Sequence, residues 1–521
     1  MRGAWHVGRR AAVTVTITAL VPLWAGAGGI AAGYSAFPAA HRFAASGVNW
    51  SGTGWASAGG NNVSDVANVI GAKGAAASVL DGKGVGITLI DTGVASVPGL
   101  PSSHIVNGPD LSFDSQASNL RYLDTFGHGT HLAGIMVGND STVGLRGIAP
   151  GAKLTSVKVG GSGGAVDVSQ VIAALQWAVV HRNDDPSYPT KVIALAYGTD
   201  AAAVRETDPL MFAVENAFWN NITVVVAGGN AASSLGRLNN PASDPYVVKV
   251  GSANTQGTVS QADDTLSTFT SISPTTQLDV VAPGESIVSL RVEGGAIDVA
   301  FPAARVGSTL FRGSGSSQAT AVVAGAAALL YQKAPNTSAA VMREWLRRSA
   351  TPMTGANASR AVGELNIAAA LAQGAPTNLV GNGGLGSSSG VGSLEASRGD
   401  SHVTNTSSTL AGATDLYGSF STSTYAADVQ KGTAWSGGVW MGHRVAGDGW
   451  TGSSWASKTW SSGAWSSRDW SGQSWYDPGW STHTWSGRYW SGGAWSGRYW
   501  SGSIWEAHDF ANATWASADW K

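Results

Sequence analysis

The chain has 521 residues, enough for more than one domain and a full-sized core, and carries a net charge of −2 with only 12% charged residues. So even a balance leaves no electrostatic footprint for nucleic acid, and none is expected as a partner. Cysteine is absent, which excludes a disulfide framework, a thiolate metal site and a cysteine nucleophile.

Residues 1–36 read as an export signal. Arg2, His6, Arg9 and Arg10 form a basic region, residues 11–24 are apolar, and small residues follow at Ala25-Gly26-Ala27, Ala31-Ala32 and Ala36. Glycines and Pro22 dilute the run below the length of a membrane span. The protein is therefore expected to be secreted and extracellular, with cell-surface association as an extension of that reading. Residues 37–60 hold a short Trp-rich segment, Trp50-Ser51-Gly52-Thr53-Gly54-Trp55.

Over residues 61–373 strand-like and helix-like segments alternate. Strands are predicted at 84–90, 153–159, 191–196, 222–227, 246–250 and 278–281, and helices from 128 and at 168–181, 209–219, 318–331 and 338–348. This alternation predicts an α/β fold, a doubly wound parallel sheet flanked by helices. Chemistry in such sheets gathers at the carboxyl ends of strands, where Asp91 and Asn230 fall.

Residues 374–432 are rich in Gly, Ser, Thr and Ala and read as a flexible linker. They contain Arg398-Gly399-Asp400, a tripeptide that can engage adhesion receptors but recurs by chance, and no role is drawn from it. Residues 433–521 form a repeat region. From Trp435 to Trp520 a tryptophan falls at every fifth position, with Val445 and Phe510 in the two exceptions, and the unit reads W-S-G-x-x. A period of five matches neither helix nor strand. It suggests a solenoid, a β-solenoid among the options, with each pentad one side or corner. Cell-wall polymer is one surface the rings could meet; a non-binding stability cap weighs equally.

Three segments each set one reactive side chain among glycines. Ile90-Asp91-Thr92-Gly93 offers a carboxylate at a strand end, Gly127-His128-Gly129-Thr130-His131 an imidazole at a helix start, and Gly315-Ser316-Ser317-Gln318-Ala319 a serine in a turn before a helix. Acyl transfer at neutral pH needs a hydroxyl activated by a base, with that base oriented by a third group. Asp91 would hold His128, and His128 would take the Ser317 proton and return it to the leaving amine. The developing oxyanion needs donors; Asn230 and the Ser317 backbone N–H are candidates. His131 reads as a structural hydrogen-bonder rather than a second base.

These segments resemble the subtilisin-like (subtilase) serine peptidases, whose hallmarks D-T/S-G, H-G-T-H, A-x-G-N and G-T-S-M-A match DTG at 91–93, HGTH at 128–131, AGGN at 227–230 and GSSQA at 315–319. Gly147-Ile148-Ala149-Pro150, DVVAPG at 279–284 and Val323-Ala324-Gly325 add support, and the similarity covers about residues 60–373. The resemblance implies a serine endopeptidase acting on protein or peptide substrates, with Asp91, His128 and Ser317 catalytic and Asn230 at the oxyanion. It also implies a peptide-binding cleft walled by Ala196, Tyr197, Gly198, Ala227, Gly228 and Gly229, with Asn239 near the pocket floor and Asp124 near the cleft.

The chain departs from the family pattern at several places. Ser316 replaces threonine, Gln318 replaces the oxidisable methionine beside the nucleophile, and Ala321 and Val322 replace the usual Pro-His. Many family members bind calcium, but Gly99 stands where a ligating aspartate is usual and the loop near Asn139 and Asp140 differs in length. No cofactor and no metal are expected there. Between residues 36 and 60 there is no room for the family's N-terminal chaperone propeptide. Two rival readings stay open: a catalytically silent binding protein on the same fold, and a wall or adhesion protein built around the Trp repeats.

Overall fold

The computed structural model describes residues 61–444, apart from 75–76, 78, 101, 117–119, 356, 380–385, 404–408 and 437–438, together with a two-residue strand at Ser474–Trp475. The expected export signal, the segment 37–60 and nearly all of the pentad array lie outside the described residues.

The central sheet is built from β1 (Gly86–Asp91), β2 (Ile105–Asp110), β3 (Lys153–Lys158), β4 (Thr190–Leu195), β5 (Thr223–Ala227), β6 (Val248–Asn254), β7 (Thr265–Leu266) and β8 (Val280–Pro283). Its order is β7-β6-β5-β4-β1-β3-β2, with β8 alongside β6, and every pairing but β7–β6 is parallel. Runs such as Val224-Val225-Val226 suit a strand covered on both faces, and these three residues are fully buried. The register sets Asp91 opposite Lys158, so the strand carrying the carboxylate ends beside a buried cation.

The helices are α1 (Val63–Val69), α2 (His128–Val137), α3 (Val168–Val180), α4 (Pro209–Trp219), α5 (Ala296–Ala300), α6 (Ser316–Lys333), α7 (Ala339–Ser349) and α8 (Ile367–Gln373). Asp167 starts α3 through a reciprocal capping box with Gln170, and Asp208 caps α4 just ahead of Pro209. Helix α6 is buried from Ser316 to Tyr331, against α2 and the sheet. Its small residues permit that close packing: a Cβ added to Gly325 would lie 2.8 Å from the Cβ of Ile148.

The predicted helices and strands recur with small shifts at their ends; the strand expected over 246–250 lies at Val248–Asn254. A second sheet was not foreseen. There β9 (Ile287–Leu290) pairs antiparallel with β11 (Leu310–Ser314), Asn61–Asn62 pairs with β9, and β10 (Arg305–Val306) pairs with β11. β11 leads directly into the turn that begins α6.

The expectation of a flexible linker over 374–432 is corrected for most of its described part. Helices α9 (Leu394–Arg398) and α10 (Thr422–Lys431) lie within it. Leu394, Val403, Leu416, Tyr417, Phe420 and Tyr425 join the core cluster that holds the apolar faces of α3 and α4. Arg398 is fully buried and reaches Asp167 at 2.7 Å, and its guanidinium also donates to the Gly412 carbonyl at 2.7 Å. Small residues here allow contact rather than mobility: a Cβ on Gly392 would lie 2.6 Å from the Thr207 carbonyl oxygen. The first two tryptophans of the array also pack in this core, paired across a hairpin as Trp435 with Trp440.

Candidate active site

Asp91 closes β1 and His128 opens α2. Their contact is 2.7 Å from His128 Nδ1 to Asp91 Oδ1, with both side chains buried. The motif threonines explain how two segments so far apart in sequence are locked together. Thr92 Oγ1 donates to Asp124 Oδ1 at 2.9 Å and accepts the Gly129 N–H at 2.9 Å. Thr130 Oγ1 donates to Asp124 Oδ2 at 2.6 Å and accepts the Ala95 N–H at 2.8 Å. Glycine is required at 129, where a Cβ would lie 2.1 Å from the Gly93 carbonyl oxygen.

Asp124 is the hub of this region. Its carboxylate also accepts the N–H groups of Gly127 at 2.7 Å and Thr130 at 2.8 Å, so it serves the exposed donors at the start of α2. Burial pushes its carboxyl above the ordinary value, and the Thr130 hydroxyl and the backbone donors oppose that push. The sequence suggested a place near the cleft; the structure makes Asp124 a fully buried positioning residue.

Behind Asp91 lies a charged cluster that motif reading missed. Lys158 is buried, pairs with Asp114 at 2.8 Å and donates to the Leu123 carbonyl. Burial alone would lower its pKa, but the neighbouring carboxylates of Asp114, Asp110 and Asp124 outweigh that and raise it. The only trace in the sequence was a lysine inside an otherwise apolar strand end. His131 donates from Nε2 to the Phe311 carbonyl at 3.1 Å; burial, and the nearby His128, hold its pKa down at about 3. It is neutral across the working range, in keeping with a structural role.

Ser317 lies in the first turn of α6 and is buried, its Oγ 3.5 Å from the Ala196 carbonyl oxygen. Helices α2 and α6 pack together and share one core cluster. Asn230 is anchored to the same turn: its Oδ1 accepts the Ser316 N–H at 2.7 Å. The hydroxyl of Ser316 in turn accepts the Gly229 N–H at 3.3 Å, so serine still does here what a threonine hydroxyl could do. Gln318 is buried, and its amide has no hydrogen-bond partner among the described residues.

The segments 196–198 and 227–229, expected as cleft walls, are joined by Asn239, and Thr199 next to the first is joined by Asn240. Asn239 N donates to the Gly228 carbonyl at 3.0 Å and its Nδ2 to the Gly198 carbonyl at 3.4 Å, while Thr199 and Asn240 exchange backbone bonds at 2.9 and 3.0 Å. Gly229 has φ 110, and a Cβ there would lie 2.1 Å from Asn239 Oδ1. Asn239 thus fills the space between the two segments. The Tyr197 ring belongs to the core cluster beneath the sheet, so this residue can offer only its backbone to the cleft.

Gly99 brings no side-chain oxygen, and Asp140 Oδ1 is taken by the Thr142 N–H at 2.9 Å and the Thr142 hydroxyl at 2.6 Å. Among the described residues no group of three or more His, Asp or Glu side chains could hold a metal ion.

Asp91 and His128 are in contact at the start of α2, and Ser317 lies in the first turn of α6, which packs against α2. The chain belongs to the subtilase family, whose model matches residues 82–383. Serine protease AprX of Bacillus subtilis (strain 168) is 35% identical over 277 residues, covering 51% of this chain and 61% of that protein. Subtilisin NAT of Bacillus subtilis subsp. natto is 32% identical over 277 residues, 52% of this chain and 61% of that protein. Subtilisin Savinase of Lederbergia lenta is 31% identical over 281 residues, covering 53% and 87%. The chain thus spans about three fifths of the length of the first two relatives. Among solved structures, fervidolysin from Fervidobacterium pennivorans aligns with a TM-score of 0.48 at 24% identity, over 60% of this chain and 46% of that one.

Proposed function

We propose that this protein is a serine endopeptidase that cleaves peptide bonds through an acyl-enzyme. The observation that carries the reading is the buried Asp91–His128 contact of 2.7 Å on a helix that packs against the one beginning with Ser316-Ser317. His128 removes the Ser317 proton as Oγ attacks the carbonyl carbon, and Asp91 stabilises the imidazolium that forms. The negative oxygen is met by the Ser317 N–H and by the amide of Asn230, whose donor end is set by the bond its oxygen accepts from Ser316. His128 then protonates the leaving amine, and water releases the acyl group by the same steps in reverse. Peptide substrates lie between the backbones of 196–198 and 227–229, where Asn239 limits pocket depth.

The basic and apolar N-terminus supports a secreted protein, and among the described residues no helix is long and apolar enough to cross a membrane. The tryptophan array supports a contact with cell-wall polymer, which sedimentation of the full chain with purified wall material tests. For the activity, the purified protein is incubated with casein and the fragments are sequenced by mass spectrometry. Internal cleavages that disappear in Ser317→Ala are the expected result; intact casein after incubation with folded protein would sink the reading.

A further inference from the structure

We propose that the repeat region supplies an occupant for the cleft of its own chain: the segment at Ser474–Trp475 adds as a strand to β11 and covers the leaving-group side of the catalytic turn. The proposal rests on the peptidase reading above. β11 pairs with β9 from Leu310 to Gly313 on one edge. On the opposite edge β10 covers only Leu310 and Phe311. Farther along that edge, β12 (Ser474–Trp475) pairs antiparallel, Gly313 with Trp475 and Ser314 with Ser474. The next residues of the chain are Gly315, Ser316 and Ser317.

An uncovered strand edge is a row of unmatched donors and acceptors, a ready template for an extended peptide. This edge stops three residues short of the nucleophile. The antiparallel sense points the N-terminal end of β12 toward Ser317 and its C-terminal end away. The acyl half of a substrate lies along 196–198, on the Ala196 side of Ser317. A strand on β11 therefore takes the path of the half that leaves.

The sequence singles out this pentad independently. Trp475-Tyr476-Asp477-Pro478-Gly479 is the one unit of the array that contains proline. Proline has no N–H for a ladder, and Asp-Pro-Gly is turn chemistry, so the sequence predicts a stop to strand pairing after Trp475. The other units lack such a stop.

The test compares the full-length protein with Ser474→Pro, which removes a backbone donor from the docked strand. Two substrates are used: an internally quenched peptide extending well past the cleaved bond, and a short peptide p-nitroanilide with nothing beyond it. If the tail occupies the edge most of the time, Ser474→Pro lowers KM for the long peptide by about three- to tenfold and leaves the p-nitroanilide unchanged. Equal KM values for both proteins on the long peptide would overturn the proposal. A second readout does not depend on catalysis. In a Ser317→Ala background, hydrogen exchange over 310–316 should quicken when Ser474→Pro is added. Unchanged exchange would refute docking, whereas faster exchange together with no turnover by the protein that keeps Ser317 would refute the peptidase reading alone.

Discussion

The side-chain oxygen of Asn230 accepts the backbone N–H of Ser316 at 2.7 Å, one residue before Ser317. Because an N–H can bond only to the oxygen of the amide, this contact fixes the Asn230 Nδ2 as the end presented toward the reacting carbonyl. Asn230→Ala should lower kcat by about 10²–10³ with little change in KM, the pattern of a donor used in the transition state. Steady-state kinetics on a peptide substrate check this; an unchanged kcat would remove Asn230 from the oxyanion site.

Gln318 places an amide in a fully buried position beside the nucleophile with no partner among the described residues. An unmatched buried amide costs about 1–3 kcal/mol, and a thioether of similar volume avoids the cost. Gln318→Met should therefore stabilise the protein by about 1–2 kcal/mol in denaturant melts. It should also introduce rapid inactivation by peroxide, since the new thioether is oxidisable. Equal peroxide sensitivity before and after the exchange would contradict this placement.

Arg398 lies in the segment whose composition reads as a linker, yet it is paired with Asp167 in full burial. Removing the cation leaves an uncompensated carboxylate at the cap of α3. Arg398→Ala should cost about 3–5 kcal/mol, and Lys431→Ala on the exposed end of α10 close to nothing. Thermal melts of both variants decide whether residues 386–444 fold with the peptidase domain. A small effect at Arg398 would restore the linker reading.

Asp264 and Glu364 are both buried, and Asp264 raises the cost of charging Glu364. Burial raises the Asp264 pKa to about 7, and burial together with Asp264 raises that of Glu364. In the unfolded chain both titrate near the usual carboxylate range of about 4. The folded form thus holds protons that the unfolded form has released, and stability from this pair is complete below about pH 4 and declines as pH rises toward 7 and above. Asp264→Asn should leave Tm unchanged near pH 4 and raise it at pH 8 by about 2–4 °C. Scanning calorimetry at the two pH values provides the check; a parallel shift at both would contradict proton uptake by this pair on folding.

Motif and periodicity made the central sheet, α2, α3, α4, α6 and α7 legible, because buried parallel strands and their covering helices are spelled in apolar runs. The proposed site residues Asp91, His128, Ser317 and Asn230 drew attention for another reason, since each sits in a glycine-rich turn that few other demands explain. What stayed hidden depends on contacts distant in sequence. Asp124 looks like any loop aspartate until Thr92, Gly127 and Thr130 converge on it. Lys158 looks like a strand-end lysine until Asp114 appears beside it. The β9–β11 sheet was missed because Leu310-Phe311-Arg312-Gly313-Ser314 carries too little apolar pattern to announce a strand. The error at 374–432 came from reading Gly and Ser as flexibility when many of them cap helices or allow close approach.

The measurement that bears most directly on the proposed chemistry is labelling of the purified protein with a fluorophosphonate probe, beside Ser317→Ala. An activated serine held by His128 and Asp91 predicts one covalent label per chain, located on Ser317 by mass spectrometry and absent from the variant. A folded protein that takes up no label, or labels equally without Ser317, would contradict it.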